Sequence, residues 1–146
     1  MKHNDQIRVL FICNENAARS QIAEAILKQL GGERFTVESA GFEPGPVNPH
    51  AVRAMHEAGI DIAGAKSKGV FELYRAGRAY DFVVAVCDKV TGEKCPIFPG
   101  MRSQRLDWSF PDPTTFVGSE TAKYDQMLEL RDSIRARIVD WLVEIT

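Results

Sequence analysis

The chain has 146 residues, of which 45% are hydrophobic and 26% charged, and this composition is typical of a soluble globular protein that folds around one core. A formal net charge of -2 argues against a nucleic-acid or membrane surface as partner, and no apolar run approaches the roughly 20 residues of a membrane span. The polar start over residues 1–6 is unlike a secretory signal, so we expect one cytoplasmic domain over residues 1–146.

Predicted strands and helices alternate in the first half of the chain. Residues 7–12 form a short β-rich apolar run that ends at Cys13, which is typical of a buried strand in a parallel sheet. From Ser20 the apolar residues recur at helical spacing until Gly31, which predicts a first helix. Residues 35–40 predict a second strand and residues 49–58 a second helix.

The second half continues this alternation around one long loop. Ser67 is expected to cap a short third helix that runs to Tyr74, and residues 81–87 give the strongest strand signal. Residues 88–116 are rich in loop signals, and so long a connection is uncommon unless it is functional. A long amphipathic final helix is marked by Met127, Leu130, Ile134, Ile138, Trp141 and Ile145. The order of elements predicts an α/β sandwich.

The loop between the first strand and the first helix has the pattern of an anion site. It runs Cys13-Asn14-Glu15-Asn16-Ala17-Ala18-Arg19-Ser20. Backbone N–H groups in such a loop, the start of the helix and the forked Arg19 guanidinium all favour a tetrahedral dianion. The same positive field, with a hydroxyl such as Ser20, favours a nucleophilic thiolate at Cys13. The alternative is that Cys13 is a small buried apolar residue.

Cys87 and Cys95 stand eight residues apart and do not form a Cys-x-x-Cys pair. We expect no metal site, because zinc needs about four ligands and the three histidines show no suitable spacing to these thiols. Structural disulfides are disfavoured in a reducing cytoplasm, so two unrelated buried cysteines remain as an alternative. Asp112, between two prolines, is by itself typical of a turn.

The chain resembles the low-molecular-weight tyrosine phosphatase fold nearly end to end, and within it the thioredoxin-coupled arsenate reductases. The Cys13 to Ser20 loop is common to both, whereas its continuation as Gln21-Ile22-Ala23-Glu24 and the later Ser39-Ala40-Gly41 are similar to the reductases. The resemblance implies a three-layer α/β sandwich with a central, mainly parallel sheet of four strands. Two positions depart from it. Glu15 stands where members often have glycine, so its carboxylate must point away from the anion, and Ala18 stands where the phosphatases and many reductases have a second cysteine.

The resemblance also implies roles for the candidate residues. Cys13 attacks arsenate, which is held by residues 14–19; Cys87 and then Cys95 carry the oxidation to thioredoxin; and Asp112 is the acid. A mobile segment is implied between Cys87 and Cys95, which precedes a Pro-Ile-Phe-Pro run. Threonines follow Pro113 where the phosphatases usually have tyrosine, which favours a small inorganic oxyanion. No organic cofactor is implied, and we expect a monomer.

Two alternatives to arsenate reduction stay open at the level of sequence. A phosphatase that acts through a phosphocysteine needs only Cys13, Arg19 and Asp112, and an anion-binding module needs no chemistry at all.

Family members can also hold a potassium ion behind the anion loop, at positions that match Asn16, Glu24 and Ser39 here. The fourth, acidic position corresponds to Lys68, whose ammonium would replace the ion; the alternative is a solvated surface lysine.

Overall fold

Four parallel strands form the centre of the molecule in the order β2-β1-β3-β4. They are β1 (Ile7–Cys13), β2 (Phe35–Gly41), β3 (Phe82–Ala85) and β4 (Gln104–Asp107). The structure is a computed structural model that describes residues 6–87, 95–99 and 104–145. The predicted parallel sheet of four strands is therefore confirmed, and it is parallel throughout. Because parallel neighbours end together, the carboxyl ends of β1 and β3 share one edge of the sheet.

Helices lie between β1 and β2, between β2 and β3 and after β4, and they cover the sheet. They are α1 (Arg19–Gly31), α2 (Pro49–Glu57), α3 (Val70–Arg75) and α4 (Glu120–Ile145), with short 3-10 turns at Gly32–Arg34 and Pro113–Thr115. The helix α1 packs on β1 and β2, while α4 packs on α1 and α2. Within the described ranges, no helix has the length and apolar character needed to cross a membrane.

The core explains why the central strands are apolar on both faces. Residues 9–12 of β1 and residues 84–85 of β3 are fully buried, as expected for inner strands of a covered parallel sheet. The final helix contributes its predicted apolar stripe, in which Ile134 and Ile138 are fully buried. Trp141 of the same helix packs its ring edge-on against Phe82 at 5.1 Å between centroids, so α4 closes the sheet at the end opposite the Cys13 loop.

Two sequence predictions were wrong. Ser67 does not cap α3: the N-cap is Gly69, which makes no side-chain cap bond, and the Ser67 hydroxyl instead contacts the carbonyls of Asn16 and Gly45. The strand β4 falls in a stretch that was predicted to be loop. This edge strand has no residue that is fully buried, so it lacks the apolar pattern that reveals a strand in sequence.

Candidate active site

The loop from Cys13 to Arg19 joins the end of β1 to the start of α1, and its carbonyl groups face outward. The carbonyls of Cys13, Asn14, Glu15 and Ala17 accept backbone N–H groups from Phe42, Glu43, Gly45 and Asn48 in that order. We call residues 42–48 the collar. A loop whose carbonyls are held from outside turns its N–H groups toward its own centre, where they form an anion nest. No side chain caps the start of α1, and its first turn holds no acidic residue, so the positive end of the helix faces the same centre.

The collar comes so close that only glycine fits at its base. A Cβ at Gly41 would lie 2.6 Å from the backbone nitrogen of Asn16 and 2.8 Å from the carbonyl oxygen of Asn14. Asn16 itself has a φ of 55°, a left-handed conformation that asparagine adopts more readily than most residues. Tight packing and one unusual dihedral together fix the curvature of the loop.

Cys13 lies at the bottom of this loop and is 2% exposed. Its Sγ is 2.8 Å from Ser20 Oγ and accepts the backbone N–H of Asn16 at 3.2 Å. Two groups thus hold the sulfur at the bottom of the loop. The predicted pairing of Cys13 with Ser20 is thus present in the structure.

A chain of hydrogen bonds behind the loop orients the Ser20 hydroxyl. Ser39 Oγ donates to Glu24 Oε1 at 2.5 Å, and Asn16 Nδ2 donates to both Ser39 Oγ and Ser20 Oγ. Since the Ser20 oxygen accepts this proton, its own proton is available to Cys13 Sγ. The donations therefore diverge from the Asn16 amide nitrogen, through Ser39 to the Glu24 carboxylate on one side and through Ser20 to the Cys13 sulfur on the other.

Lys68 lies beside this chain. Its Nζ is 3.9 Å from Glu24 Oε1, and its backbone N–H donates to Asn16 Oδ1 at 2.8 Å. Gln21 Nε2 donates to the same amide oxygen at 3.2 Å. The four residues predicted for a cation site are thus brought together, with the Lys68 ammonium near the Glu24 carboxylate.

The loop opens into a cavity of about 330 Å³. Of the residues predicted to bind an oxyanion, Asn16 does not line this cavity; the others do, together with Cys13, Asp112 and Thr114. Part of the opposite wall comes from the collar, namely Pro46, Val47 and Asn48. Sequence reasoning missed this wall, because nothing in its local pattern shows that it folds over the Cys13 loop.

Arg19 and Asp112 lie next to each other in the wall of the cavity. Arg19 is buried at the start of α1; its Nη2 lies 3.9 Å from Asp112 Oδ1, and its Nη1 donates to the carbonyl of Phe110 at 3.2 Å. Asp112 is partly exposed, and it also caps the 3-10 turn by accepting the N–H of Thr114. Asp112 is therefore a turn residue, as its sequence context predicts, and the turn places it in the wall of the cavity that Cys13 also lines. The Glu15 side chain is exposed and lies against Gly45.

Cys87 and Cys95 are, like Cys13, buried and not joined in a disulfide. Cys87 follows β3 at the sheet edge where β1 ends in Cys13. Burial raises the pKa of Cys95 from 9.0 to about 11, although the nearby Arg105 partly offsets this. The segment that was predicted to be mobile, residues 88–94, lies outside the described residues. In the part of the chain that is described, no group of three or more His, Cys, Asp or Glu side chains is placed to hold a metal ion.

Comparison with known proteins gives a consistent result. The family model for low molecular weight phosphotyrosine protein phosphatases matches residues 8–146. The arsenate reductase of Oceanobacillus iheyensis is 38% identical over 132 residues, which cover 89% of this chain and 91% of that protein. A solved arsenate reductase in its oxidized state aligns with a TM-score of 0.77 at 28% identity, over 95% of this chain and 98% of that one. The thioredoxin-dependent arsenate reductase of Corynebacterium glutamicum aligns with a TM-score of 0.74 at 30% identity, over 96% of this chain and 62% of that one.

Proposed function

Because the chain belongs to the low molecular weight phosphotyrosine protein phosphatase family, and to the arsenate reductases within it, we propose that it reduces arsenate to arsenite through a relay of its three cysteines and is regenerated by thioredoxin. The observation that carries the proposal is the shared sheet edge, where β1 ends in the Cys13 loop and β3 leads into Cys87. A reducing compartment such as the cytoplasm suits a cycle that starts from three reduced cysteines.

The strand register indicates how near the first two thiols lie. Ile12 pairs with Ala85, and the N–H of Val86 still donates to the Ile12 carbonyl at 2.9 Å, so Val86 is level with Cys13. Cys87 is one residue further. With strands about 4.8 Å apart and a rise of about 3.3 Å per residue, the two Cα atoms are separated by about 6 Å. A disulfide needs less than about 7 Å, so only local rearrangement is required.

That rearrangement is a turn of the backbone. Successive side chains of a strand point to opposite faces of the sheet, so a continued strand would direct Cys87 away from the face that Cys13 occupies. The chain at Cys87 must therefore turn before the sulfurs can bond. Cys87 stands after the end of β3, where such a turn does not break the sheet.

In the first step the Cys13 thiolate attacks arsenic(V) in arsenate that is bound by the loop N–H groups and Arg19. A sulfur–arsenic bond forms, and one arsenate oxygen leaves as water after accepting a proton from Asp112. Arg19 neutralises the oxyanion by bidentate hydrogen bonding and also holds the Phe110 carbonyl. The same guanidinium thus binds the substrate and positions the acid loop.

The redox change follows in the second step. The Cys87 thiolate attacks Cys13 Sγ, a disulfide forms, and the sulfur–arsenic electron pair passes to arsenic, which leaves as arsenite. Cys95 then attacks Cys87, which releases Cys13 as a thiolate and leaves a Cys87–Cys95 disulfide. Thioredoxin reduces that disulfide with its own dithiol, so each arsenate consumes two electrons and one reductant molecule.

The polar chain behind the loop supports this chemistry, and its residues do not suit a potassium ion. Asn16 Oδ1 already accepts two N–H donors, from Lys68 and Gln21, which occupy both lone pairs of an amide oxygen. Lys28 Nζ pairs with the outer Glu24 oxygen, Oε2, at 2.5 Å. We propose that the Lys68 ammonium, 3.9 Å from Glu24 Oε1, supplies the positive charge on the side of the Cys13 loop instead of an ion. Asn16, Glu24, Ser39 and Lys68 are then positioning residues that act on Cys13 through Ser20.

Phosphatase activity is the second candidate, and the size of the cavity favours it. A volume of about 330 Å³ is roughly ten times the share of one water molecule in the liquid and falls in the range of small-molecule pockets. A phosphomonoester with a compact organic group would fit between the collar and Pro113. Hydrolysis through a phosphocysteine would require Cys13, Arg19 and Asp112 but neither Cys87 nor Cys95.

The proposal is tested by a coupled assay that contains arsenate, thioredoxin, thioredoxin reductase and NADPH. We expect oxidation of NADPH that depends on arsenate and stops in Cys87→Ser and Cys95→Ser. Hydrolysis of an aryl phosphate, measured in parallel, should survive in those two variants and disappear in Cys13→Ser. Arsenate turnover that persists in Cys13→Ser would refute the mechanism, and hydrolysis without arsenate turnover would assign the chain to the phosphatases.

A further inference from the structure

An apolar surface lies beside Cys95. Phe71 and Tyr74 of α3 are 41% and 45% exposed, and Ile97 is 89% exposed. Positions three apart lie on one face of a helix, so the two rings are neighbours on the outer side of α3. The Tyr74 ring also contacts the Phe98 ring edge-on, with centroids 5.8 Å apart, which joins segment 95–99 to that helix. We call Phe71, Tyr74 and Ile97 the Ile97 face.

We propose that the Ile97 face is the surface on which thioredoxin docks when it reduces the Cys87–Cys95 disulfide. This inference rests on the proposed function, since it requires that disulfide and that reductant. Beyond the proposed function, it names the side chains of this protein that thioredoxin contacts.

The geometry of disulfide exchange determines what covers this face. A mixed disulfide brings the two sulfurs to about 2.05 Å and the two Cα atoms to within about 7 Å. The backbone of the reductant must therefore lie on the surface around the attacked cysteine. Ile97 is two residues from Cys95, at most about 7 Å along the backbone, so a protein bonded to Cys95 Sγ lies within reach of it.

The chemistry of the exchange favours attack on Cys95. The reductant thiolate forms a bond to Cys95 Sγ, the Cys87–Cys95 bond breaks, and Cys87 leaves as a thiolate that takes a proton from water. The second thiolate of the reductant then attacks its own bonded sulfur and releases Cys95. Both electrons come from the reductant dithiol, which ends as a disulfide. A thiol with a raised pKa is a poor leaving group, and burial raises the pKa of Cys95. The reductant therefore attacks the Cys95 sulfur more readily than the Cys87 sulfur, because Cys87 is then the leaving group.

The segment itself points to a partner. Cys95 and Phe98 are buried, while Ile97 between them projects into solvent. Phe98 anchors the segment through its contacts with Tyr74 and Tyr80, and Ile97 beside it is exposed. An exposed aliphatic residue next to aromatic rings is typical of the apolar centre of a protein interface.

The experiment separates docking from the reaction that precedes it. The protein is oxidised by a single turnover with arsenate, arsenite release is measured, and the Cys87–Cys95 disulfide is confirmed by peptide mapping. Its reduction is then followed with thioredoxin and, separately, with dithiothreitol. In Ile97→Ser we expect unchanged arsenite release and unchanged reduction by dithiothreitol, but about a tenfold fall in kcat/KM for thioredoxin, the loss expected for one buried aliphatic contact. Adding Tyr74→Ser should deepen the fall.

Val117→Ser is the matched control, because Val117 is 74% exposed but lies outside the Ile97 face; it should behave as the unmodified protein does. Equal reduction of Ile97→Ser and the unmodified protein by thioredoxin would overturn the docking surface and leave the proposed function intact. A disulfide that dithiothreitol reduces and thioredoxin does not would overturn the reductant of the proposed function, and the docking surface with it.

Discussion

Gly41→Ala tests whether the collar shapes the oxyanion loop. The added methyl would meet the backbone nitrogen of Asn16 at 2.6 Å, the carbonyl carbon of Glu15 at 2.7 Å and the carbonyl oxygen of Asn14 at 2.8 Å. All three are backbone atoms of the loop, so no side chain can rotate away. The loop must move as a unit, or β2 must move away from it.

The size of that movement follows from the distances. Real Cβ contacts essentially never fall below 3.0 Å, so a contact at 2.6 Å requires a shift of at least about 0.4 Å. A displacement of 1 Å at a reacting group costs roughly a hundredfold in rate. We therefore expect a fall in arsenate kcat/KM of about tenfold to a hundredfold, together with a loss of stability of about 1–3 kcal/mol from overpacking.

The assay monitors the loop through Cys13. In a background of Cys87→Ser and Cys95→Ser, Cys13 is the remaining thiol, and its alkylation by iodoacetamide reports thiolate reactivity. Protection by inorganic phosphate reports oxyanion binding. Gly41→Ala should show slower alkylation and a phosphate concentration for half-protection that is raised about tenfold or more.

Gly64→Ala is the control, because a Cβ there meets nothing within 4 Å. Ser67→Ala provides a second route to the same question, since it removes the hydroxyl contacts to Asn16 and Gly45 without adding bulk. If Gly41→Ala matches Gly64→Ala in alkylation and in phosphate protection, the collar does not determine the geometry of the loop.

Three further predictions address the relay, the cation and pH. Cys95→Ser should release one arsenite per molecule and retain a Cys13–Cys87 disulfide, which mapping of non-reduced peptides would detect. Normal turnover of this variant with thioredoxin would show that the relay does not require Cys95. Activity should not change when sodium replaces potassium at constant ionic strength, whereas Lys68→Asp should create a potassium requirement; stimulation of the unmodified protein by potassium would exclude Lys68 as the substitute charge. Finally, burial raises the pKa of Cys95 to about 11 in the folded protein, against 9.0 for an exposed cysteine. The unfolded chain therefore binds fewer protons between these pH values, and the free energy of unfolding should fall as pH rises through them. Denaturant titrations of reduced protein should show a smaller fall in Cys95→Ser, and an equal fall would contradict the assignment.

Much of the fold and the position of the candidate nucleophile, Cys13, followed from local sequence. Residues 9–12 are apolar because both faces of an inner parallel strand are buried, and this leaves a continuous run that sequence alone reveals. The spacing from Cys13 to Arg19 and Ser20 is equally local, because one loop and the first turn of α1 contain all three residues. The resemblance to arsenate reductases depended on such contiguous motifs.

Contacts between distant segments could be decided only by the tertiary structure. Ser67 was assigned to a helix cap because its neighbours in sequence suggested one, yet its hydroxyl bonds to carbonyls 51 and 22 residues away. The collar wall and the requirement for glycine at position 41 likewise depend on how β2 lies beside β1. The edge strand β4 is too short and exposed to leave an apolar period. Periodicity records which side of an element is buried, whereas which segments meet depends on the order and register of the strands, and these are set when the whole chain packs.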